Sequence, residues 1–522
     1  MSIAVATSNA RRRALVVNCY ADETRRPVAR ASKIPQTLGP IFLAGGLNPD
    51  LWEIRLYNEL AHGPLADGRL LAGADLVVLT GLTTAVDRMR QITAYARTAN
   101  PRVVVAAGGH AVRALPSYCA GFLDYACRGD VEELRDVVAD AFGAEYAADE
   151  MTPRFDLADW IGRLGYAESS RYCNFRCSFC TLTGEGRKFR PYGRAELRRQ
   201  LEAAGRKKIV TFLDNNFYGN NRRSFLERVA CAAEARDAGL FEGWAALVTA
   251  DFFARPDNLA LAREAGCVAL FTGVESFDTS WTKSHDKLQN GVRPQAEVIR
   301  ECLRAGVVFL YGLILDVTTR PLAELRRELE FVLSCPEITL PAYVCVPIPI
   351  LGTPFFYECL DDGLILPSTR VRDLDGTTLS LRPLDPVREV ARFLRDLQTM
   401  RGYRTKAIAH SVRFARNYAG TLGWERMAVA LSNAALISAP LLATLPTRWG
   451  ARSAARTHVS TTEPLDPTYA PALPVDARLA HLLEPTLLTC ADGSVSPQIA
   501  ADVEALRAAR PRRNAVAVGA GG

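Results

Sequence analysis

The chain has 522 residues, 48% hydrophobic and 23% charged, an ordinary globular balance with ample core for two or three domains. A net charge of +6 spread over that length points to an anionic ligand or surface and gives no argument for nucleic acid. The 13 cysteines form no dense, regular framework, and residues 1–10 lack the apolar run of a signal peptide. A reducing cytoplasm is therefore expected, where clustered cysteines read as metal or catalytic ligands rather than disulfides.

Short apolar runs of strand length occupy residues 14–20, 53–57, 75–80, 102–107 and 125–130. Residues 35–47 read as a helix or loop, and helical spacing fills 84–98 and 131–142. Continuous apolar strands alternating with helices predict a parallel sheet covered on both faces. Such a doubly wound domain binds ligands outside the carboxyl ends of its strands. The loops there are Thr80-Gly81-Leu82-Thr83-Thr84, Gly108-Gly109-His110 and Arg128-Gly129-Asp130. Glycines let backbone approach a ligand closely, although tight turns alone would also account for them.

Residues 144–160, with Pro153 and no periodicity, read as a linker. A second alternation then begins. Its first strand, near 164–169, runs into a loop with Cys173, Cys177 and Cys180 at Cys-x-x-x-Cys-x-x-Cys spacing. Thiolates spaced this way on one loop can converge on one metal centre. A structural zinc site wants four ligands, and a cubane iron–sulfur cluster also normally takes four cysteines. Three cysteines with no fourth nearby suggest a cluster with one iron left open to bind and activate a ligand.

Further strands are predicted at 208–216, 244–249, 268–276, 307–317 and 342–349. Helices fill the gaps at 194–204, 222–238, 258–265, 294–305 and 321–334. Six such strands make a partial barrel, open on one side, with chemistry on the loops at the carboxyl ends. Cys231, Cys267, Cys302, Cys335, Cys345 and Cys359 read as small core residues. The basic segment 187–192 reads equally as a solvated surface or as a holder of an anionic group.

From about residue 361 the alternation stops. Helical periodicity returns over 386–400, and 402–424 is basic and aromatic. Residues 427–447 carry no charge; a buried helical pair is the favoured reading and an interfacial helix the second. Residues 512–522 read as a disordered tail.

The cysteine loop following a strand, Phe179 before the last cysteine, and the later Gly273-x-Glu275-Ser276 resemble the radical S-adenosylmethionine (SAM) superfamily. Leu351-Gly352-Thr353-Pro354 resembles a turn common after the sixth strand of that family. Tyr172 departs from it, standing where glycine usually precedes the first cysteine. The resemblance implies that Cys173, Cys177 and Cys180 hold a 4Fe–4S cluster. It also implies that Phe179, Asp214, Asn216, Glu275 and Ser276 serve SAM, whose cleavage gives a 5′-deoxyadenosyl radical.

Residues 14–143, with the Gly-Gly-His-Ala and Arg-Gly-Asp turns, resemble the cobalamin-binding domain that precedes many radical SAM enzymes. That likeness implies corrinoid contacts from Thr80, Gly81, Thr83, Gly108, Gly109, His110, Arg128 and Gly129. The Asp-x-His-x-x-Gly motif that ligates cobalt in many such domains is missing, so His110 is not assigned as a cobalt ligand. Either cobalt keeps no protein histidine or the domain no longer binds cobalamin. A second cluster on Cys19, Cys119 and Cys127, as in methylthiotransferases, matches poorly.

The expected architecture is α/β: a Rossmann-like cobalamin-binding domain (1–143), a linker (144–160), a partial (β/α)6 radical SAM barrel (161–360), a mainly helical C-terminal region (361–511) and a tail. The expected activity is C-methylation of a hydrophobic lipid, pigment or natural product, using the 4Fe–4S cluster, SAM and cobalamin. Oxidation or cyclisation without methyl transfer, and a non-catalytic cluster- or corrinoid-binding sensor, are the alternatives. Expected partners are a small hydrophobic substrate and an electron donor such as flavodoxin or ferredoxin. Peripheral contact with the inner membrane face is a further expectation, and nucleic acid is not expected.

Overall fold

The computed structural model describes residues 11–20, 23–24, 38–398, 400–432 and 469–509. Five parallel strands form the N-terminal sheet: β1 (Arg12–Asn18), β2 (Trp52–Asn58), β3 (Leu76–Thr80), β4 (Val104–Gly108) and β5 (Tyr125–Ala126). Their order is β2-β1-β3-β4-β5. The order reverses between β1 and β3, the place where open α/β sheets leave a crevice. Register sets Asn18 beside Thr80 and Thr80 beside Gly108, so the three strand ends lie level at one edge. Leu76, Val77, Val78 and Leu79 are all buried, because helices cover both faces of the sheet.

The second sheet follows in chain order. β6 (Leu164–Ala167) leads into a short antiparallel hairpin, β7 (Ser170–Arg171) with β8 (Arg190–Pro191). Then come β9 (Lys207–Phe212), β10 (Phe241–Leu247), β11 (Cys267–Glu275), β12 (Val308–Ile314) and β13 (Tyr343–Cys345). Six strands pair side by side in the order β6-β9-β10-β11-β12-β13, every pair parallel, which makes an open partial barrel. Each lies within the expected stretch to a few residues. The helices Arg194–Ala204, Arg222–Asp237, Pro256–Glu264, Gln295–Arg304 and Leu322–Ser334 supply the crossovers. An aromatic cluster of Phe212, Phe217, Phe225, Trp244 and Phe252 fills the space under β9 and β10. Cys231, Cys267, Cys302, Cys335 and Cys359 are buried and Cys345 is half-buried.

Residues 144–160 are not a bare tether. Trp52 donates its indole N–H to the carbonyl of Tyr146 (2.9 Å). Phe155 and Ala158 are buried with Leu38, Ile41, Phe42 and Tyr166. The aromatic side chains in this stretch find partners, which its lack of periodicity concealed.

The C-terminal region divides between the two sheets. Helices Val387–Gln398 and Arg404–Tyr418 pack on the barrel through Val390, Phe393, Leu394, Phe414 and Tyr418. Residues 469–509 are largely irregular until the helix Ala500–Ala509, and they return to the N-terminal sheet. There Arg90 donates to the carbonyl of His481 (2.7 Å), and Asp87 accepts the backbone N–H of Thr486 (2.9 Å). Asp502 accepts the N–H groups of Ser117 (3.0 Å) and Tyr118 (2.8 Å). Most of the uncharged stretch 427–447 and all of the tail 512–522 lie outside the described residues. Among the described residues no helix is long and apolar enough to cross a membrane.

One buried ion pair anchors the N-terminal domain. Arg88 and Glu59 both have fully buried side chains. Arg88 donates to Glu59 from Nε (2.9 Å) and Nη2 (2.7 Å), and Glu59 also accepts the N–H of Tyr20 (2.8 Å) and of Leu65 (2.8 Å). Removing one member leaves an uncompensated buried charge. Arg88→Ala is expected to cost about 3–5 kcal/mol in denaturant unfolding monitored on the N-terminal domain.

Candidate functional site

The cysteine loop stands at the carboxyl edge of the barrel, between β7 and the short helix Thr181–Glu185. Asp214, at the end of β9, is fully buried. It accepts from the Ser169 hydroxyl (2.8 Å), the Ser169 N–H (3.2 Å) and the Ser170 hydroxyl. Asn216, also fully buried, donates to the Asn174 side chain within the loop (2.7 Å). Its oxygen accepts the N–H of Tyr218 (3.2 Å) and of Thr249 (3.4 Å). Both residues therefore reach the site by holding the loop.

On the other side, Ser178 donates from backbone and hydroxyl to the carbonyl of His285 (3.1 and 3.3 Å) and accepts the N–H of Phe355 (3.1 Å). His285 stacks on Trp281 with ring centroids 4.2 Å apart. Phe179 packs against this pair at 6.1 and 6.2 Å. The Trp281 indole donates to Asp316 (2.8 Å), which follows β12.

Glu275 ends β11 at a register shift, with a left-handed backbone (φ 61°). Such strain in a non-glycine residue concentrates at functional sites. Its carboxylate pairs with the buried ammonium of Lys287, which lies over the Phe179 ring at 5.7 Å. Burial opposes the charge on Lys287, but the Glu275 carboxylate, with the Cys177 and Cys180 sulfurs adding when ionised, outweighs it and holds its pKa above the ordinary lysine value. Ser276 faces away: its hydroxyl donates to Glu328 (2.7 Å) and accepts from Arg320 (3.0 Å).

The donor set suits a cluster. Burial pushes the Cys173 thiol up to about 11, and the neighbouring Cys180 and Cys177 add to the effect. Three ionised sulfurs in this place need a compensating cation, which cluster iron would supply. Phe175 N–H and the Gln289 amide already donate to Cys173 and Cys177 sulfur (3.5 Å each), the kind of contact that tunes a cluster. Among the described residues no three His, Cys, Asp or Glu side chains close on a single-ion site. Cys173, Cys177 and Cys180 would be the residues to hold a multi-iron cluster, which does not require them to close on one ion.

Residues 168–329 match the model of the Radical SAM superfamily. The chain carries a radical SAM domain. Over 301 residues it is 29% identical to the hopanoid C-2 methylase of Rhodopseudomonas palustris (strain TIE-1), covering 52% of this chain and 54% of that protein. The chain thus spans about half the length of that relative. It is 24% identical to the bacteriochlorophyllide d C-12(1)-methyltransferase of Chlorobaculum tepidum, covering 56% of this chain and 67% of that one. The fold resembles the cobalamin-dependent SAM radical enzyme OxsB, solved with aqua-cobalamin and SAM bound. That likeness has a TM-score of 0.55 at 15% identity and covers 84% of this chain and 74% of OxsB.

The N-terminal turns expected to meet a corrinoid lie at the carboxyl edge of the first sheet. Gly81 and Gly109 bring the β3 and β4 turns together: a Cβ on Gly109 (φ 96°) would stand 3.1 Å from the Gly81 carbonyl oxygen. Thr83 is buried, and Thr80 accepts the N–H of Cys19 (2.7 Å). Gly108 ends β4 against Cys127. His110 has no hydrogen-bond partner on either ring nitrogen, and burial lowers its pKa. Its Nδ1 stands 3.8 Å from Glu185, on the helix that follows Cys180.

Arg128 and Gly129 point their carbonyls to a different use. The Arg128 carbonyl accepts from Arg187 (2.8 Å) and the Gly129 carbonyl from Arg113 (3.0 Å). Asp130 completes this contact with the radical SAM domain: it accepts the hydroxyl of Tyr172 (2.6 Å) and pairs with Arg187 (2.9 Å), Arg113 (3.4 Å) and Arg171 (3.5 Å). Much of the basic segment 187–192 is thus spent on acids of the protein itself, with Arg190 also 3.7 Å from Glu132.

Sequence reasoning did not assign Asp130, Asn174, Lys287, Gln289 or the Trp281–His285–Asp316 group to the site. It also missed Asp251, which accepts from Thr249 through Oδ1 while its buried Oδ2 has no partner. Burial raises the Asp251 pKa. Lys287 could have been found only by asking what neutralises a half-buried Glu275.

Asp130 has a pH signature. Burial alone would raise its pKa, but the Tyr172 hydroxyl and the guanidinium groups of Arg171, Arg187 and Arg113 hold it below the ordinary aspartate value. A depressed folded pKa stabilises above the unfolded value, and that stability is lost as pH falls through the folded one. The stability difference between wild type and Asp130→Asn, from denaturant titrations, is expected to be constant above the unfolded aspartate pKa of about 3.9, to shrink as pH falls below it, and to level off only once pH has passed the lower folded pKa.

Proposed function

We propose that the chain is a cobalamin-dependent radical SAM enzyme that methylates a carbon of a hydrophobic small molecule. The observation that carries the reading is the three-cysteine loop, fastened on both sides and docked beneath a doubly wound domain whose ligand edge faces it through Tyr172–Asp130 and His110–Glu185. Cys173, Cys177 and Cys180 hold a 4Fe–4S cluster. The cluster and corrinoid, when bound, supply the electron that cleaves SAM and the methyl group for transfer.

The chain's own residues position and shield. Asp214 and Asn216 fix the loop from the β9 side, and Ser178 fixes it from the other. Glu275 and Lys287 present a paired carboxylate and ammonium beside the cysteines, complementary to the amino and carboxylate groups of SAM. Phe179, Trp281 and His285 form an aromatic wall that keeps water from the loop's inner face. Thr80, Gly81, Thr83, Gly108, Gly109 and His110 are the residues that would hold the corrinoid.

Leu288 and Val292, just after Lys287, are 64% and 55% exposed, which suits an apolar substrate. The names of the two methylating relatives, one for a hopanoid and one for a bacteriochlorophyllide, support the same class. A flavodoxin- or ferredoxin-type donor would supply electrons. A second reading, radical oxidation or cyclisation without cobalamin, draws on the engagement of the Arg128 and Gly129 carbonyls within the protein.

The test is anaerobic reconstitution followed by SAM, a reductant and hydroxocobalamin. The expected result is a corrinoid-bound visible spectrum with formation of both 5′-deoxyadenosine and S-adenosylhomocysteine. Changing all three cysteines to alanine should abolish the iron–sulfur absorbance; its persistence would remove the ligand assignment. 5′-Deoxyadenosine without corrinoid binding or S-adenosylhomocysteine would replace methylation by the second reading.

A further inference from the structure

Tyr172 is an unfavourable residue for its backbone. Its φ of 64° lies in the left-handed region, where a Cβ is crowded and glycine is at ease. The residue is 8% exposed, and its side chain reaches into the N-terminal domain. There its hydroxyl donates to Asp130 (2.6 Å), accepts from Arg187 Nη1 (2.6 Å), and its ring lies 5.5 Å from the Arg187 guanidinium carbon. Asp130 is gripped by three arginines, two of them from the radical SAM domain, Arg171 and Arg187. Arg171 in turn binds Glu132 (2.8 Å) of the N-terminal domain and Glu168 (2.9 Å) of its own. Thus the residue directly before the first cysteine is held in a costly conformation by the other domain.

We propose that Tyr172 and Asp130 form a latch through which the N-terminal domain positions Cys173. Tyr172 is a positioning residue, and the Arg128-Gly129-Asp130 turn is the hand that holds it. The effect of the latch on a cluster rests on Cys173 being a cluster ligand; the latch itself does not. A glycine here would relieve the backbone but carry no hydroxyl. The tyrosine exchanges local ease for a tether between the domains, and the loop geometry at Cys173 then depends on the N-terminal turn staying in place.

The experiment uses the full chain as wild type, Tyr172→Phe, Tyr172→Gly, Asp130→Asn, the Tyr172→Phe/Asp130→Asn double variant, and Arg190→Gln as a rim control. Alkylation of Cys173 in the metal-free protein is followed by mass spectrometry, with thermal unfolding to confirm each fold. Breaking a hydrogen bond to a charged group should open the loop about tenfold more often or better. Cys173 labelling is therefore expected to rise by about tenfold or more in Tyr172→Phe, Tyr172→Gly and Asp130→Asn, with no further rise in the double variant and none in Arg190→Gln. In reconstituted protein the same variants should shift the cluster midpoint potential in one direction, together.

Tyr172→Gly behaving as wild type would show that only the backbone matters and would overturn the latch. So would Tyr172→Phe labelling at the wild-type rate, or effects that add in the double variant. If no cluster assembles in wild type, the ligand assignment of Cys173 falls, while the labelling still decides the latch.

Discussion

A buried carboxylate holds the centre of this molecule. Asp214 has no access to solvent, and burial raises its pKa, so its oxygens need donors. Ser169 and Ser170 supply them, and this obliges the chain leaving β6 to turn at the end of β9 and enter the cysteine loop there. Asn216 continues the constraint by reaching Asn174 inside the loop. The cysteines are therefore mounted on the two adjacent strands β6 and β9, whose register is set by parallel pairing and an aromatic core. A loop so held can present three thiolates without an ordered fourth ligand.

The second consequence concerns the other sheet. Both sheets are parallel, so both carry their loops at one edge. The two edges meet at acids and arginines: Asp130 with Tyr172, Arg171 and Arg187, Glu132 with Arg171, and Glu185 with Arg113. This contact is charge-rich and partly buried, so its value lies in specificity of placement more than in net stability. Residues 469–509 reinforce the N-terminal side by bonding to Asp87 and Arg90 and by offering Asp502 to the N–H groups of Ser117 and Tyr118.

Most of the framework was legible in the sequence, because parallel strands buried on both faces read as unbroken apolar runs. β3 is such a run, and the helix Arg194–Ala204 was delimited by its own periodicity. The cysteine loop was legible because three ligand-type residues fell on one short stretch after a strand. What the sequence concealed were pairings between distant residues. Lys287 meets Glu275 only because a helix and a turn fold back over β11, and Asp214 carries no mark that says its partners are serines rather than a ligand. Tyr172 was visible as a departure from glycine, yet its reason lies in Asp130, 42 residues earlier. The return of residues 469–509 was hidden because irregular chain has no period to read.

A cluster held by Cys173, Cys177 and Cys180 alone would leave one iron open for SAM. Mössbauer spectroscopy of the 57Fe-reconstituted protein, before and after SAM, tests it most directly. One 4Fe–4S cluster per chain and a change confined to a single iron when SAM binds are expected. Four equivalent irons unaffected by SAM, or iron bound without a cubane, would contradict it.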